Sequence, residues 1–377
     1  MIKELYNYIN QWYANYYNIT SNQAYFQFHI TKICSGFCKH CYFRDIRTVS
    51  DTTCLNKDIV KTAIEKIVFF SRKIRKKPVI DFTGGDPLLH PNILEILEYA
   101  KEKKVSVGLK CCSNELDDMM ISKLKRINVE RIFLSLEGLE MINDYIRGRG
   151  DFSRTILTLS KLKENDFYVR VKMTISKFNK NQIEPLMDMF IKNNFIIDVF
   201  MWARYWSKEN QTDVLTKDEY LTILQKQLDY LEFLFQREDF FVDGYNKTIP
   251  KLGYDFKEHL WFPFLDSKGY IAKELVEYIK SNSGAVSCTM DKNVYVIDFD
   301  GNVSKCRKYI DSVIGNIFSD ELDEIVYNNK HKDIIRLTRE TECYKCSYHA
   351  MCGGCIAMST TYWKNNRRKD PCCMIEV

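Results

Sequence analysis

Residues 24–43, AYFQFHITKICSGFCKHCYF, run an alternating segment straight into three cysteines, Cys34, Cys38 and Cys41. The first eight residues alternate as a half-buried β-strand does, so the thiols stand at its carboxyl end. The pattern then repeats downstream. Helical spacing over NKDIVKTAIEKIVFFSRKI (56–74) gives way to a short apolar strand, PVIDFTGGD (78–86), that ends in a glycine pair. HPNILEILEYAKEKK (90–104), with Pro91 near its start, and VSVGLKCCSN (105–114) are the next helix and strand. Three more pairs follow: 116–127 with 129–138, 153–165 with 168–176, and 181–194 with 196–206. Six strands joined by helices predict a parallel sheet, because parallel neighbours need a crossover. The expected fold is α/β, a partial (β/α)6 barrel of the TIM type.

In such sheets the chemistry collects at the carboxyl ends of the strands. The cysteine motif follows the first strand, TGGDP (83–87) ends the second, CCSN (111–114) follows the third and SLEG (135–138) the fourth. All four are expected to open on one face. Near residue 206 the alternation stops. TKDEYLTILQKQLDYLEFLFQRE (216–238) reads as an amphipathic helix, with Thr216 and Glu219 spaced as a capping box. The aromatic stretch 240–264 is too apolar for a free linker and is expected to pack over something. From 286, short strands, turns and dense cysteines predict a small domain whose core is thin without metal. The expected divisions are an aromatic N-terminal segment (1–23), the barrel (24–206), a helical and irregular bridge (207–285) and a cysteine-rich domain (286–377).

The chain has 377 residues, 45% of them apolar, and a net charge of +5. Its length suits one large core plus a smaller module. Basic and acidic residues are interspersed, so charge points to no nucleic-acid partner. No apolar run approaches the roughly 18 residues of a membrane span, and the N-terminus lacks a signal pattern. The expected location is the cytoplasm, where thiols stay reduced. Fourteen cysteines there point to metal or redox chemistry rather than to disulfides.

Three cysteines at C-x3-C-x2-C leave a four-coordinate site one ligand short. A zinc ion completed by His40 or His29 is one reading, and an iron-sulfur cluster with one free iron is the other. The surrounding motifs favour the second. CSGFCKHCYF (34–43), FTGGDP (82–87), LSLEG (134–138) and DYIRG (144–148) resemble the radical S-adenosylmethionine (SAM) enzymes. By that resemblance Cys34, Cys38 and Cys41 hold a four-iron four-sulfur cluster, and its fourth iron is chelated by SAM, whose reductive cleavage gives a 5'-deoxyadenosyl radical. The resemblance implies that Gly84, Gly85 and Asp86 hold the methionine amino group. Asp86 replaces the usual Glu. Ser135 and Arg147 match positions that contact the SAM carboxylate, and His40 and Tyr42 occupy the aromatic place beside the third cysteine. Asn114 stands where the family often has Thr-Asn-Gly.

The C-terminal motifs, Cys288, GNVSKC (301–306), CYKCSYHAMCGGC (343–355) and the pair Cys372 and Cys373, resemble the SPASM domain. That likeness implies two auxiliary four-iron four-sulfur clusters, three clusters in all. Cys288, Cys306 and Cys355 would serve the first. Cys343, Cys346, Cys352 and one of Cys372 or Cys373 would serve the second. A pair of zinc ribbons is the alternative for this spacing.

Enzymes of this arrangement modify ribosomally made peptides, so the resemblance implies a peptide maturase that forms a thioether or carbon-carbon cross-link or a similar oxidative change. Its expected partners are a precursor peptide, a separate leader-recognition protein or the surface 240–264, and a reductant such as flavodoxin or ferredoxin. Sulfatase-maturing relatives place an Asp after the cysteine of G-x4-C; here it is Arg307, which counts against that activity. Peptide epimerisation, with Cys112 or Cys54 returning a hydrogen atom, is one alternative. Modification of a tetrapyrrole side chain is another, and a zinc-stabilised binding module is the non-enzymatic one.

Overall fold

The structure is a computed structural model that describes residues 1–36, 38–41, 53–205, 212–244, 247–281, 292–328, 330–334, 341–362 and 369–375. These form two compact units built from separated segments: one takes 22–172 and 293–334, the other 1–21, 173–292 and 335–377. The strands in chain order are β1 (Gln23–Thr31), β2 (Lys77–Gly84), β3 (Ser106–Lys110), β4 (Arg131–Ser135), β5 (Tyr168–Ile175) and β6 (Ile197–Arg204). Then come β7 (Phe241–Gly244), β8 (Lys247–Pro250), β9 (Leu252–Tyr254), β10 (Val294–Ile297), β11 (Asn302–Ser304) and β12 (Val313–Asn316).

In the first unit β1 to β5 are parallel neighbours in chain order, with Phe28 opposite Phe82, Phe82 opposite Leu109 and Ser135 opposite Lys172. Helices Lys57–Lys73, Ile93–Glu102, Asp118–Ile127 and Asp151–Glu164 make the crossovers. The α/β fold with parallel strands read from the sequence is therefore present. On the other side of β1, β10 adds in parallel, and β11 and β12 follow antiparallel.

The alternation of β1 has a different meaning from the one expected. Both of its faces are buried from Phe26 onward, apolar and polar residues alike. One face is packed under helix Lys57–Lys73, where Phe26 stacks 5.1 Å from Tyr295 and Tyr295 meets Phe70 of that helix at 5.9 Å. The other face is polar but does not look to bulk water. Tyr25 and Gln27 on that face both accept hydrogen bonds from Lys110 of β3, at 2.7 and 3.2 Å. The period of two therefore separates an apolar outside from a polar inside.

In the second unit, the last residues of β5 adjoin the end of β6, where the Tyr205 amide donates to the Ile175 carbonyl at 2.7 Å. β6 pairs in parallel with β9, and β7 with β8 forms a hairpin. The capping box of Thr216 and Glu219 opens helix Lys217–Leu234 as the sequence predicts. The N-terminal segment is a helix, Lys3–Asn22, whose Leu5, Ile9, Tyr13 and Tyr17 form a buried i, i+4 stripe. It packs on the aromatic stretch 240–264: Tyr13 lies 4.9 Å from Phe262, and Trp12 lies 5.7 Å from Phe256. Phe240, Tyr254, Phe256, Trp261 and Phe262 are buried. That stretch thus packs as expected, with its largest rings used in the core. Among the described residues, no helix is long and apolar enough to cross a membrane.

Candidate metal centres

The loop after β1 is fixed from two sides. The amides of Gly85 and Asp86 donate to the carbonyls of Thr31 and Ile33 at 2.8 and 2.6 Å. A Cβ on Gly84 would lie 2.1 Å from the Thr31 oxygen, and one on Gly85 would lie 1.9 Å from the Ile33 oxygen. The glycine pair is therefore needed so that the cysteine loop can lie against the end of β2. On the other side the Lys39 amide donates to the Ile146 carbonyl at 2.8 Å, next to Arg147. Asn114 joins in by donating to the Ser35 hydroxyl at 3.0 Å.

At Gly36 the thiols converge. A Cβ there would lie 3.6 Å from the sulfurs of Cys34, Cys38 and Cys112, so the glycine leaves a cradle that a side chain would fill. Burial pushes the Cys38 thiol up, and Glu137, Cys41 and Cys34 add to this against the pull of Arg147. Several thiols confined together resist ionisation without a bound cation. Soft donors around a cradle of this kind fit an iron-sulfur cluster. Among the described residues no three His, Cys, Asp or Glu side chains are arranged to hold a single metal ion.

Asp86 is fully buried, and its two oxygens accept the amides of Leu88 and Cys112, each at 3.1 Å. Burial raises its carboxyl to about 7, against the pull of those two bonds. Arg147, at the end of helix Glu140–Arg147, donates from Nε to Asp151 at 2.9 Å and lies 3.7 Å from Glu137. Asn143 fastens both acids, donating to Asp151 at 2.9 Å and accepting the Glu137 amide at 2.9 Å. His40 lies 3.4 Å from Glu137. Sequence patterns do not mark Glu137, Asn143 or Asp151, although the i, i+4 spacing of Arg147 and Asp151 is a usable signal. Ser135 is half-buried at the end of β4. Cys54 bridges to Thr31, with its sulfur 3.2 Å from the Thr31 hydroxyl. Tyr42 lies outside the described residues.

In the second unit Cys343, Cys346, Cys352 and Cys373 line one cavity, with Gly353, Gly354 and Asp370. Gly354 has φ +67°, and a Cβ there would come within 2.4 Å of the Cys343 sulfur. Cys372 is turned elsewhere: it is buried, and its sulfur faces the Leu215 carbonyl at 3.8 Å. Asp370 holds the turn by accepting from Arg204 at 2.8 and 2.9 Å and pairing with His259 at 3.0 Å. Four thiols and two glycines around one space fit a cluster here also. Cys306 belongs to the first unit, where its amide donates to the Ser312 hydroxyl at 3.1 Å, and Cys355 belongs to the second. Cys288 lies outside the described residues.

The chain carries two domains that family models match: the model of the radical SAM superfamily matches residues 28–190, and the model of the SPASM iron-sulfur cluster-binding domain matches 288–355. Together they imply SAM and iron-sulfur clusters as cofactors. The chain is 23% identical to the Fe-coproporphyrin III synthase of Methanosarcina barkeri over 364 residues, covering 92% of this chain and 86% of the other. It is 23% identical to the antilisterial bacteriocin subtilosin biosynthesis protein AlbA of Bacillus subtilis, covering 90% of this chain and 69% of that one. In fold it resembles Streptococcus suis SuiB bound to its precursor peptide SuiA, with a TM-score of 0.69, 18% identity and coverage of 98% and 79%.

Proposed function

We propose that the chain cleaves SAM reductively at the Cys34, Cys38 and Cys41 site and uses the resulting radical to modify a ribosomally made peptide, forming a thioether or carbon-carbon cross-link or a similar oxidative change. The observation that carries this reading is the second thiol-lined cavity, Cys343, Cys346, Cys352 and Cys373, found in addition to the first site. Hydrogen abstraction followed by bond formation leaves one electron to be removed from the substrate, and a second redox centre can accept it. A four-iron four-sulfur cluster with SAM supplies, when bound, the electron and the primary carbon radical.

The chain's own residues do the rest. Gly84 and Gly85 admit the cysteine loop to the strand end. Glu137 and Asp151 orient Arg147, which with Ser135, His40 and Tyr42 is assigned to SAM. Asp86 holds the Cys112 amide, and of the two candidate hydrogen donors Cys112 is the one whose sulfur shares the Gly36 cradle. Cys373 is preferred to Cys372 as the fourth thiol of the second cavity. The grouping of Cys288, Cys306 and Cys355 for a third cluster rests on the resemblance to the SPASM domain. A precursor peptide, a separate leader-recognition protein and a flavodoxin or ferredoxin complete the reading, which draws on AlbA and on SuiB with its peptide.

A tetrapyrrole substrate is the second reading, favoured by the likeness to an Fe-coproporphyrin III synthase over 92% of the chain. The test is anaerobic reconstitution with iron and sulfide, followed by reduction in the presence of SAM. Formation of 5'-deoxyadenosine is expected, and its absence overturns both readings. A mass change in a peptide encoded beside the gene supports the first, and a mass change in iron coproporphyrin III supports the second.

A further inference from the structure

The polar inner face of the first unit's sheet holds more cations than anions. Asp81 of β2 is buried and engaged three times, by Arg131 at 3.1 Å, Lys110 at 3.4 Å and the Tyr25 hydroxyl at 2.6 Å. Glu137 faces Arg147 and His40. Both acids are thus already matched. Lys172 of β5 is not. It stands opposite Ser135, on the same face as Arg170 two residues earlier, and Arg170 stands opposite Phe133, which in turn stands opposite Lys110. Among the described residues the Lys172 ammonium has neither a hydrogen bond nor an ion pair. The Arg170 Nε is buried without a hydrogen-bond partner among those residues, its guanidinium lying 5.3 Å from the Phe133 ring.

The Arg307 guanidinium, burial, Lys110 and Lys308, in that order, hold the Lys172 ammonium well below the ordinary lysine value, and Glu137 offsets them only in part. Burial, Arg307 and Lys110 likewise bring His29 down to about 3, so this imidazole adds no charge at neutral pH. Lys172 and Arg170, which form no ion pair among the described residues, are costly to hold charged in a partly buried space, and an anion entering that space relieves them.

We propose that the inner face around Lys172, with Arg170 two residues earlier on the same strand, binds a carboxylate carried by the substrate. The inference rests on the reading above that substrate is modified at this strand-end face, and it deepens that reading by naming the group recognised. A porphyrin propionate and an acidic or C-terminal carboxylate of a peptide share this chemistry.

Binding to the reconstituted holoenzyme tests the proposal with two probe pairs: iron coproporphyrin III against its tetramethyl ester, and a hexaglutamate peptide against hexaglutamine with an amidated end. Each pair is titrated onto wild type, Lys172→Met and Lys172→Arg, alongside the affinity for SAM. At least one acidic probe is expected to bind wild type about tenfold more tightly than its neutral form, or roughly 1.4 kcal/mol. Lys172→Met should lose that preference and Lys172→Arg should keep it, with SAM affinity unchanged. Porphyrin binding alone identifies the tetrapyrrole source, and peptide binding alone the peptide source. The proposal is overturned if neither acid binds, if the neutral forms bind equally well, or if Lys172→Met loses SAM, which would assign Lys172 to the cofactor. The ester and amide comparisons need no variant, so they stand even if Lys172→Met fails to load iron. Production of 5'-deoxyadenosine by the same preparation separates failure of this inference from failure of the functional reading.

Discussion

Gly85 has no room for a methyl group, because the Ile33 carbonyl oxygen would lie 1.9 Å from it. That oxygen is backbone, so the clash cannot be relieved by rotating a side chain; the loop carrying Cys34 must move. Gly85→Ala is therefore expected to lose the iron of the first site while keeping that of the second cavity. Iron and sulfide per chain should match those of a variant with Cys34, Cys38 and Cys41 all changed to Ala, and iron content equal to wild type would refute the argument. The sequence marks the glycines as a place of close approach, and the resemblance assigns that approach to SAM. It does not tell that the cysteine loop itself is the first neighbour, because that depends on how β1 and β2 are aligned across some fifty intervening residues of helix and loop. Asp86 shows the same limit. Its charge is legible, but its use on the amides of Leu88 and Cys112 is a matter of tertiary placement.

Elements with a strong period were the easiest to read. The crossover helices and β1 to β6 follow from apolar spacing, and helix Lys217–Leu234 follows from its capping box. From sequence alone, helix Lys3–Asn22 reads only as an aromatic segment. Its five tyrosines and one tryptophan are moderate helix formers and obscure the stripe of Leu5, Ile9, Tyr13 and Tyr17 that tertiary packing selects. Adjacent cysteines were the harder case, since spacing cannot separate Cys372 from Cys373. The turn held by Asp370 separates them by directing one sulfur toward the Leu215 carbonyl and the other into the cavity. In a background lacking the first three thiols, Cys373→Ser is expected to lose the charge-transfer absorption of the second cavity, and Cys372→Ser to retain it. Equal loss in both variants, with folding intact by circular dichroism, would contradict this assignment.

Over the whole molecule the formal charge is only +5, which conceals how unevenly charge is placed. Asp81 is the counter-charge that lets Lys110 and Arg131 lie inside the first unit, and Gly108 of β3 makes room for it: a Cβ there would be 2.2 Å from Asp81 Oδ1. Burial alone would raise the Asp81 carboxyl, but Lys110, Arg131 and the Tyr25 hydroxyl outweigh it and hold the group below its ordinary value. A carboxyl whose value is lower in the folded state than in the unfolded chain, where it is about 3.9, stabilises the fold above that pH. The contribution is lost as pH falls toward the folded value. Asp81→Asn keeps the shape and removes the charge, leaving two buried cations without their partner, at an expected cost of roughly 3–5 kcal/mol at pH 7. Urea unfolding of the apo-protein, followed by circular dichroism, should show that cost in full at pH 7 and a smaller one in steps below about pH 4, where the wild-type carboxyl also becomes neutral. A cost independent of pH would mean that Asp81 acts through its shape and hydrogen bonds, and that the inner face does not depend on its charge.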